Sequence, residues 1–266
     1  MVRRGPGRAA QVAGGLLAAS LATALQYRSD FWMEMLTGLS RSVLAFGPVW
    51  LVFSHRETVL GWSADDTVLV LGLYLLVHAL LAGFVEPNLG AVVESIRAGT
   101  LDFVLLKPAD AQLLVSVRRL AVGRLIDVPL ALGVIAWALA QRELPSGSDV
   151  MVALVLLVSG LVAMYSLWLL AICTSFWFVR VDNLRFLLWS MVDAGRWPLP
   201  VFTPWVRWFL TVVVPIGVVT TFPALALRGE WDARLLGLGI AVGIAFAVGS
   251  RWAWHRSLAA YTSASS

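Results

Sequence analysis

The sequence has little charge and almost no cysteine. Charged residues make up 14% of its 266 residues, hydrophobic residues make up 59%, and the mean hydropathy is +0.83. A soluble domain carries about a quarter charged residues and about half apolar ones, so the composition argues against a water-soluble enzyme. The one cysteine, Cys173, lies inside an apolar run, which excludes a disulfide framework and a multi-cysteine metal site.

The sequence also lacks the motifs of the common catalytic centres. Its one lysine, Lys107, follows Leu106 rather than a glycine, so the chain has no phosphate-binding loop of the form G-x-x-x-x-G-K-[ST]. The histidines, His55, His78 and His255, are scattered, and neither an H-E-x-x-H pair nor a G-x-S-x-G motif occurs. We therefore predict no catalytic residues and no metal site, and we interpret His78 as a hydrogen-bonded interior histidine.

What the sequence does contain is long uncharged runs. They cover residues 67–85, 150–179, 208–227 and 235–250. A helix needs about 20 apolar residues to cross a bilayer core about 30 Å thick. Together with two weaker segments, these runs predict an all-α polytopic membrane protein. Its six predicted transmembrane helices cover residues 31–53, 67–86, 120–140, 150–178, 200–220 and 234–252.

The fifth predicted span is rich in helix-breaking residues. They are Pro198, Pro200, Pro204, Pro215, Gly217 and Pro223. Prolines kink or end helices, and broken backbone at membrane depth persists only where protein or a water-filled cavity satisfies its polar groups. We therefore expect residues 215–228 to form a short re-entrant or interfacial segment rather than a continuous transmembrane helix.

The basic residues indicate the orientation of the spans. If both termini are cytoplasmic, the inner segments carry 13 basic residues and the outer loops carry 4. Short cytoplasmic loops are enriched in Lys and Arg, so we expect a multi-pass protein of the cell membrane with both termini inside. In this scheme residues 1–30 form an N-terminal tail, 31–260 the transmembrane domain and 261–266 a C-terminal tail. The apolar stretch 12–25 suits an interfacial helix or a cleaved signal peptide, and both interpretations stay open.

The longest inner loop, residues 86–119, carries the most specific pattern. Pro87 and Asn88 suit a helix start, and the apolar residues that follow recur at helical spacing as far as Gly99, a natural helix stop. We expect an amphipathic helix of about three turns on the cytoplasmic face. An extended segment, residues 101–106, is predicted to follow it as far as the next proline.

The same loop contains a recognisable motif. It is Glu94-x-x-Arg97-x-Gly99-Thr100-Leu101-Asp102-x-x-Leu105-x-Lys107-Pro108. This motif resembles the loop between the second and third spans of ABC-2 family permeases, the membrane subunits of ABC exporters. Gln26 to Arg28 and Tyr261 to Ser266 are similar to one branch of small six-span permeases. The resemblance implies that the N-terminal segment is an interfacial helix and that the 86–108 loop holds a coupling helix. The residues it places at or beside the contact with an ATPase are Glu94, Arg97, Gly99, Thr100, Leu101 and Asp102.

The resemblance also implies a division of labour between subunits. A separate pair of ATP-binding subunits would hold ATP and Mg, so no cofactor is expected in this chain. A second copy of the chain, or a related permease, would complete the pathway among membrane lipids, and no nucleic acid is expected as a partner. ATP-driven closure would then rock the two permease bundles. The substrate, and the choice between a homodimer and a heterodimer of permeases, are left open.

Four charged residues fall inside the first and third predicted spans: Glu34, Arg41, Arg124 and Asp127. Glu34 and Arg41 share a face of the first helix, and Arg124 and Asp127, three residues apart, are predicted to pair on the third. An ionisable group costs about 2.5–3.5 kcal/mol to insert at the centre of a membrane helix. These side chains should therefore face protein or a cavity, where they either line the translocation pathway or clamp the bundle.

Two other classes of function are weighed against a permease. An integral-membrane enzyme acting on lipid would need clustered acidic or histidine residues at one depth, and the sequence does not show them. An ion-coupled secondary transporter often has internal repeats, and no convincing repeat relates the two halves. An exporter permease subunit is the leading hypothesis.

Overall fold

The structure, a computed structural model, describes residues 28–107, 110–176 and 182–261. Its α-helices are, in chain order, α1 (Arg28–Phe53), α2 (Ala64–Leu80), α3 (Glu86–Arg97), α4 (Asp102–Leu105), α5 (Ala111–Ser116), α6 (Val122–Leu125), α7 (Asp127–Ala140), α8 (Gly147–Cys173), α9 (Asp182–Val192), α10 (Pro204–Val212), α11 (Ile216–Val219), α12 (Thr221–Leu227) and α13 (Ala233–Ala260). Strands β1 (Thr58–Val59) and β2 (Trp62–Ser63) form a short antiparallel hairpin after α1. A π-helical turn covers Leu81–Val85, and 3₁₀ turns cover Thr174–Phe176, Asp193–Arg196 and Leu199–Val201.

Within the described ranges, five helices are long and apolar enough to cross a membrane. They are Trp32–Phe53, Ala64–Arg97, Val122–Ala140, Gly147–Phe176 and Ala233–Ala260. The bent pair α10 and α11–α12 brings the number to six if it counts as one span. The predicted all-α polytopic fold is therefore confirmed. The predictions for residues 1–27 and 262–266 lie outside the described residues. We name the end of the bundle that carries the strands the hairpin end, and the end that carries residues 98–121 the loop end.

The predicted fifth span is broken, as its prolines indicated. Helix α10 meets the following helical stretch at an angle of 75°. The segments before and after this bend lie against each other. The amide of Leu199, before α10, donates to Oγ1 of Thr221 in α12 (3.1 Å). A Cβ on Gly217 would lie 2.5 Å from Cδ1 of Leu199. The lack of a side chain at Gly217 therefore allows Leu199 to pack against α11. Pro215, which cannot donate a backbone hydrogen bond, lies at the bend.

Small residues bring the fourth and sixth spans close to the bent segment α10–α12, residues 204–227, which we name the fifth crossing. A Cβ on Gly160 would lie 2.5 Å from Cβ of Val219, and one on Gly243 would lie 2.1 Å from Oγ of Ser159. Oγ of Ser159 donates to the carbonyl of Gly239 (2.8 Å). Close backbone approach and interhelical hydrogen bonds are the main sources of helix association in lipid, where burial from water contributes little.

A carboxylate between two arginines ties the spans together at the hairpin end. Asp66 lies 3.0 Å from Nη1 of Arg142 and 3.6 Å from Nε of Arg228. It also accepts hydrogen bonds from the amide and hydroxyl of Ser63, the N-cap of α2. The guanidinium of Arg228 stacks 4.4 Å from the ring centroid of Trp62. These contacts join the start of the second span to the loops before the fourth and sixth.

Candidate functional site

The second span extends well beyond the predicted membrane boundary. Residues Ala64–Arg97 form one helix of 34 residues, about 50 Å long at 1.5 Å per residue, whereas the predicted span ended at residue 86. The π-helical turn Leu81–Val85 immediately precedes the position where a new helix was predicted to begin. Pro87 has no amide hydrogen, and the wider π turn accommodates it without ending the helix. Helix α3 therefore begins at Glu86 with Pro87 in its first turn, as predicted, but it continues the second span, and the predicted cap at Asn88 is wrong.

Gly99 ends this long helix, as its sequence position predicted. Its φ is +66°, a conformation that glycine adopts without the steric cost of a Cβ. The amide of Thr100 donates to the carbonyl of Ser95 (2.9 Å), and the amide of Gly99 donates to that of Ile96 (3.2 Å). Both bonds belong to the Schellman arrangement, which satisfies the last carbonyls of a helix.

The chain after Gly99 is helical where an extended segment was predicted. Helix α4 covers Asp102–Leu105, and the amide of Val104 donates to the carbonyl of Leu101 (2.9 Å). The predicted extended segment over residues 101–106 is therefore wrong. Leu101 and Val104 are both buried. Their spacing of three residues places them on one helical face and is the sequence signal that was missed.

The structure brings the predicted coupling residues into one helix–turn–helix, named here the loop-end segment, residues 94–106. They are Glu94, Arg97, Gly99, Thr100, Leu101 and Asp102. Leu101 is 0% exposed and packs inside the segment, while Glu94, Arg97 and Thr100 are exposed. Phe103 and Leu106, which the sequence analysis did not single out, are 71% and 80% exposed. Large exposed apolar side chains beside charges are typical of a contact surface.

A buried asparagine fastens the returning chain to the long helix. Nδ2 of Asn88 donates to the carbonyls of Phe84 (2.7 Å) and Arg119 (2.6 Å), and its Oδ1 accepts from the amide of Arg119 (2.6 Å). Nη1 of Arg119 also lies 3.2 Å from the carboxylate of Glu94. The returning end of the loop is therefore held against α3 at two points.

A second network ties the loop to the fourth and sixth spans. Asp110 caps α5, accepting from the amide of Leu113 (3.0 Å), and it forms an ion pair with Arg251 of α13. Nη1 of Arg251 donates to Oε1 of Gln112 (2.8 Å), and the hydroxyl of Tyr165 in α8 accepts from Nε2 of Gln112 (3.3 Å). The arginine lowers the pKa of the Asp110 carboxyl from 3.8 to about 2. The pair therefore stays ionised at neutral pH.

The charged residues of the first and third spans contact each other across the helices. Nε of Arg124 lies 3.9 Å from the carboxylate of Glu34. Asp127 packs against Gly38, where a Cβ would lie 2.4 Å from its Oδ2. Glu34 and Gly38 are one turn apart on α1, so each residue of the predicted pair meets the first helix instead. Among the described ion pairs Arg124 is joined to Glu34, and the predicted Arg124–Asp127 pair is wrong.

Arg41 and His78 meet between the first and second spans. Nη1 of Arg41 lies 2.7 Å from Nε2 of His78, so the interior histidine is hydrogen-bonded, as predicted. The His78 ring packs against Trp189 with a centroid distance of 4.6 Å. One turn along α2, the hydroxyl of Tyr74 donates to Oδ1 of Asp193 (2.6 Å), the first residue of the 3₁₀ turn that follows α9.

These polar side chains surround a cavity of about 260 Å³. It is lined by Arg41, His78, Glu86, Arg124, Trp189 and Asp193. Sequence spacing placed Arg41 and Arg124 in the bundle but gave no sign that they share a cavity. Over residues 28–107, 110–176 and 182–261, no group of three or more His, Cys, Asp or Glu side chains is arranged to hold a metal ion.

The fold and these sites define a polytopic helical membrane protein with a structured loop at one end and a polar cavity inside the bundle. A family model described as "ABC-2 family transporter protein" matches residues 40–265. The match covers most of the chain, so the chain belongs to the ABC-2 transporter family. It is a membrane permease of an ABC transporter, a transport subunit that is not itself catalytic. The chain matches no curated protein and no solved structure.

Proposed function

We propose that this permease forms the translocation pathway of an ATP-driven exporter in the cell membrane. Both termini and the loop end face the cytoplasm, in keeping with the 13 basic residues on that side against 4 on the other. A separate pair of ATPase subunits holds ATP and Mg and drives transport. A second copy of the chain, or a related permease, completes the pathway.

The observation that carries this proposal is the surface of the loop-end segment. The helix that leads to it is about 50 Å long, and a bilayer core is about 30 Å thick, so its end projects from the membrane. Phe103 and Leu106 are exposed on the projecting part, in the same segment as the exposed charges of Glu94 and Arg97. An apolar patch flanked by charge suits a groove on a partner protein, with the charges fixing the register.

The hydrogen-bond network behind the segment supports transmission of movement into the bundle. Helix α5 follows the loop-end segment and is joined to α13 through Asp110 and Arg251. It is joined to α8 through Ser116, whose Oγ lies 2.6 Å from the hydroxyl of Tyr165. A push on the loop end would therefore reach two spans through polar contacts that link separate helices.

Replacing both exposed apolar residues, Phe103→Asp with Leu106→Asp, should abolish assembly with the ATPase. Central apolar residues of an interface cost about 2 kcal/mol or more when lost, which is about a 30-fold loss of affinity. The measurement is the amount of a phosphate-loop-bearing subunit that co-purifies with the tagged permease from its own membranes, quantified by mass spectrometry. Leu144→Asp is the matched control, because Leu144 is 82% exposed at the hairpin end. Equal recovery from both variants would contradict docking at the loop end.

Cysteine labelling tests the proposed orientation. The natural Cys173 is buried, so a cysteine introduced on the surface will dominate labelling by a membrane-impermeant maleimide. Leu144→Cys should label in intact cells, whereas Lys107→Cys should label only after the membrane is permeabilised. The reverse pattern would place the loop end, and with it the proposed ATPase contact, on the wrong side of the membrane.

A further inference from the structure

The cavity lies among the first three spans, α9 and the 3₁₀ turn after it, and it extends from membrane depth toward the loop end, where Glu86 is 22 residues, about 33 Å, from Ala64. His78, on its wall, is 14 residues from the start of the second span at Ala64, about 21 Å along the helix and so within a core about 30 Å thick. Arg41 enters from the first span and Arg124 from the start of the third. A polar cavity at this depth is expensive to maintain in lipid, which makes a bound group the natural reason for it.

The two carboxylates on the cavity wall are already neutralised by arginines outside its lining. Oδ1 of Asp193 lies 3.0 Å from Nη2 of Arg196 and accepts from the hydroxyl of Tyr74. Oε1 of Glu86 lies 3.4 Å from Nε of Arg185. Neither carboxylate depends on the arginines that line the cavity.

The two arginines that line the cavity have hydrogen-bond donors for which no acceptor is described. The partner of Arg41 is a nitrogen of His78, which carries no negative charge, and none of the described ion pairs within 4 Å includes Arg41. The one ion pair described for Arg124 is the 3.9 Å contact with Glu34, and its buried Nε has no hydrogen-bond partner. Asp127 packs beside Gly38, one turn from Arg41. It interacts electrostatically with both Arg41 and Arg124, although no described hydrogen bond joins it to either arginine. The cavity therefore offers cationic donors that lack acceptors.

We propose that this cavity binds the anionic headgroup of an amphiphile, a phosphate or a carboxylate, with Arg41 as the main anchor and Arg124 as the second. A planar guanidinium is suited to binding either group in a bidentate manner. The alkyl chain lies along the first helix, where Leu44, one turn from Arg41, is exposed. The role of this site in loading cargo rests on the proposed function, whereas the binding itself does not.

Dodecyl phosphate is the probe that tests the site, added to the purified full-length chain in maltoside micelles and followed by native mass spectrometry. One molecule should bind per chain, and Arg41→Gln should weaken binding at least about 10-fold, as expected when a charged hydrogen bond is lost. Arg41→Lys keeps the charge and should recover part of the affinity. Arg207→Gln, which removes an exposed arginine bonded only to the carbonyls of Pro200 and Phe202, should bind as the unmodified chain does.

Competition on the unmodified chain tests the proposal even if the Arg41 variants fail to fold. Dodecyltrimethylammonium should not displace the probe, and inorganic phosphate should displace it only at far higher concentration. Displacement by the cation, or equal weakening in the Arg207 variant, would overturn the site. Displacement by inorganic phosphate at equal concentration would overturn the amphiphile and assign the cavity to a soluble anion. Co-purification of the ATPase subunit is scored on the same preparations, so loss of probe binding with the ATPase retained refutes this inference alone.

Discussion

Asp66→Ala is expected to destabilise the bundle by about 3–5 kcal/mol, the usual cost of removing one partner from a buried ion pair. The Asp66 side chain is only 10% exposed and contacts both Arg142 and Arg228. Its loss leaves Arg142 without its counter-charge and leaves Arg228 with only Glu230 (2.7 Å). It also removes half of the capping box at Ser63. The midpoint of an SDS-induced unfolding titration in mixed micelles measures the change.

Asp65→Ala is the control for that experiment. Asp65 lies in the same first turn of α2 but takes no part in the cluster around Asp66, so its loss should change stability by less than about 0.5 kcal/mol. Asp66→Asn keeps an acceptor for the cap and should fall between the two. A loss of equal size for Asp65 and Asp66 would mean that the charge cluster does not hold the hairpin end together.

Gly160→Ala is expected to cost about 1–3 kcal/mol, because overpacking forces neighbouring backbone to move. An added Cβ would lie 2.6 Å from Cα and 2.8 Å from N of Val219, and backbone atoms cannot rotate away as a flexible side chain can. The clash separates the fourth span from the broken fifth crossing. The same SDS titration measures it, with additional loss of hydrogen-exchange protection expected over residues 216–227.

Gly133→Ala is the matched control glycine. It lies within α7, and an added Cβ there meets nothing within 4 Å. Alanine is favoured over glycine in a helix by about 1 kcal/mol, so this variant should be as stable as the unmodified chain or more so. Similar losses at both glycines would show that close approach at Gly160 does not hold the bundle together.

The spans were predictable because hydropathy is a local property of the sequence. Uncharged runs such as 150–179 must be buried in lipid or protein wherever they lie. The prolines around residues 198–223 predicted the break in the fifth crossing. Pro87 stands in the first turn of an α-helix, as predicted, but the second span does not end there, because a π turn joins the two helices into one. Leu89, Val92 and Val93, which follow Pro87, are buried. They continue the helical spacing of apolar residues beyond the proline, which was the evidence for one helix.

The polar contacts were harder to predict, because their partners are distant in sequence. Local spacing suggested that Arg124 pairs with Asp127, but its partner Glu34 lies 90 positions earlier on another helix. Arg251 and Asp110 are separated by 141 residues, and nothing in a single sequence links them. The motif resemblance located the loop-end segment, whereas the exposure of Phe103 and Leu106 required the folded chain.

Site-specific photocrosslinking from Phe103 tests the central claim most directly. A benzophenone amino acid placed at Phe103, which is 71% exposed, is irradiated in native membranes, and the same group at Leu144 serves as the reference. The account predicts a crosslink from position 103, and none from 144, to a separate subunit that carries a phosphate-binding loop. Absence of that crosslink at 103, together with ATP hydrolysis by the purified chain alone, would contradict it.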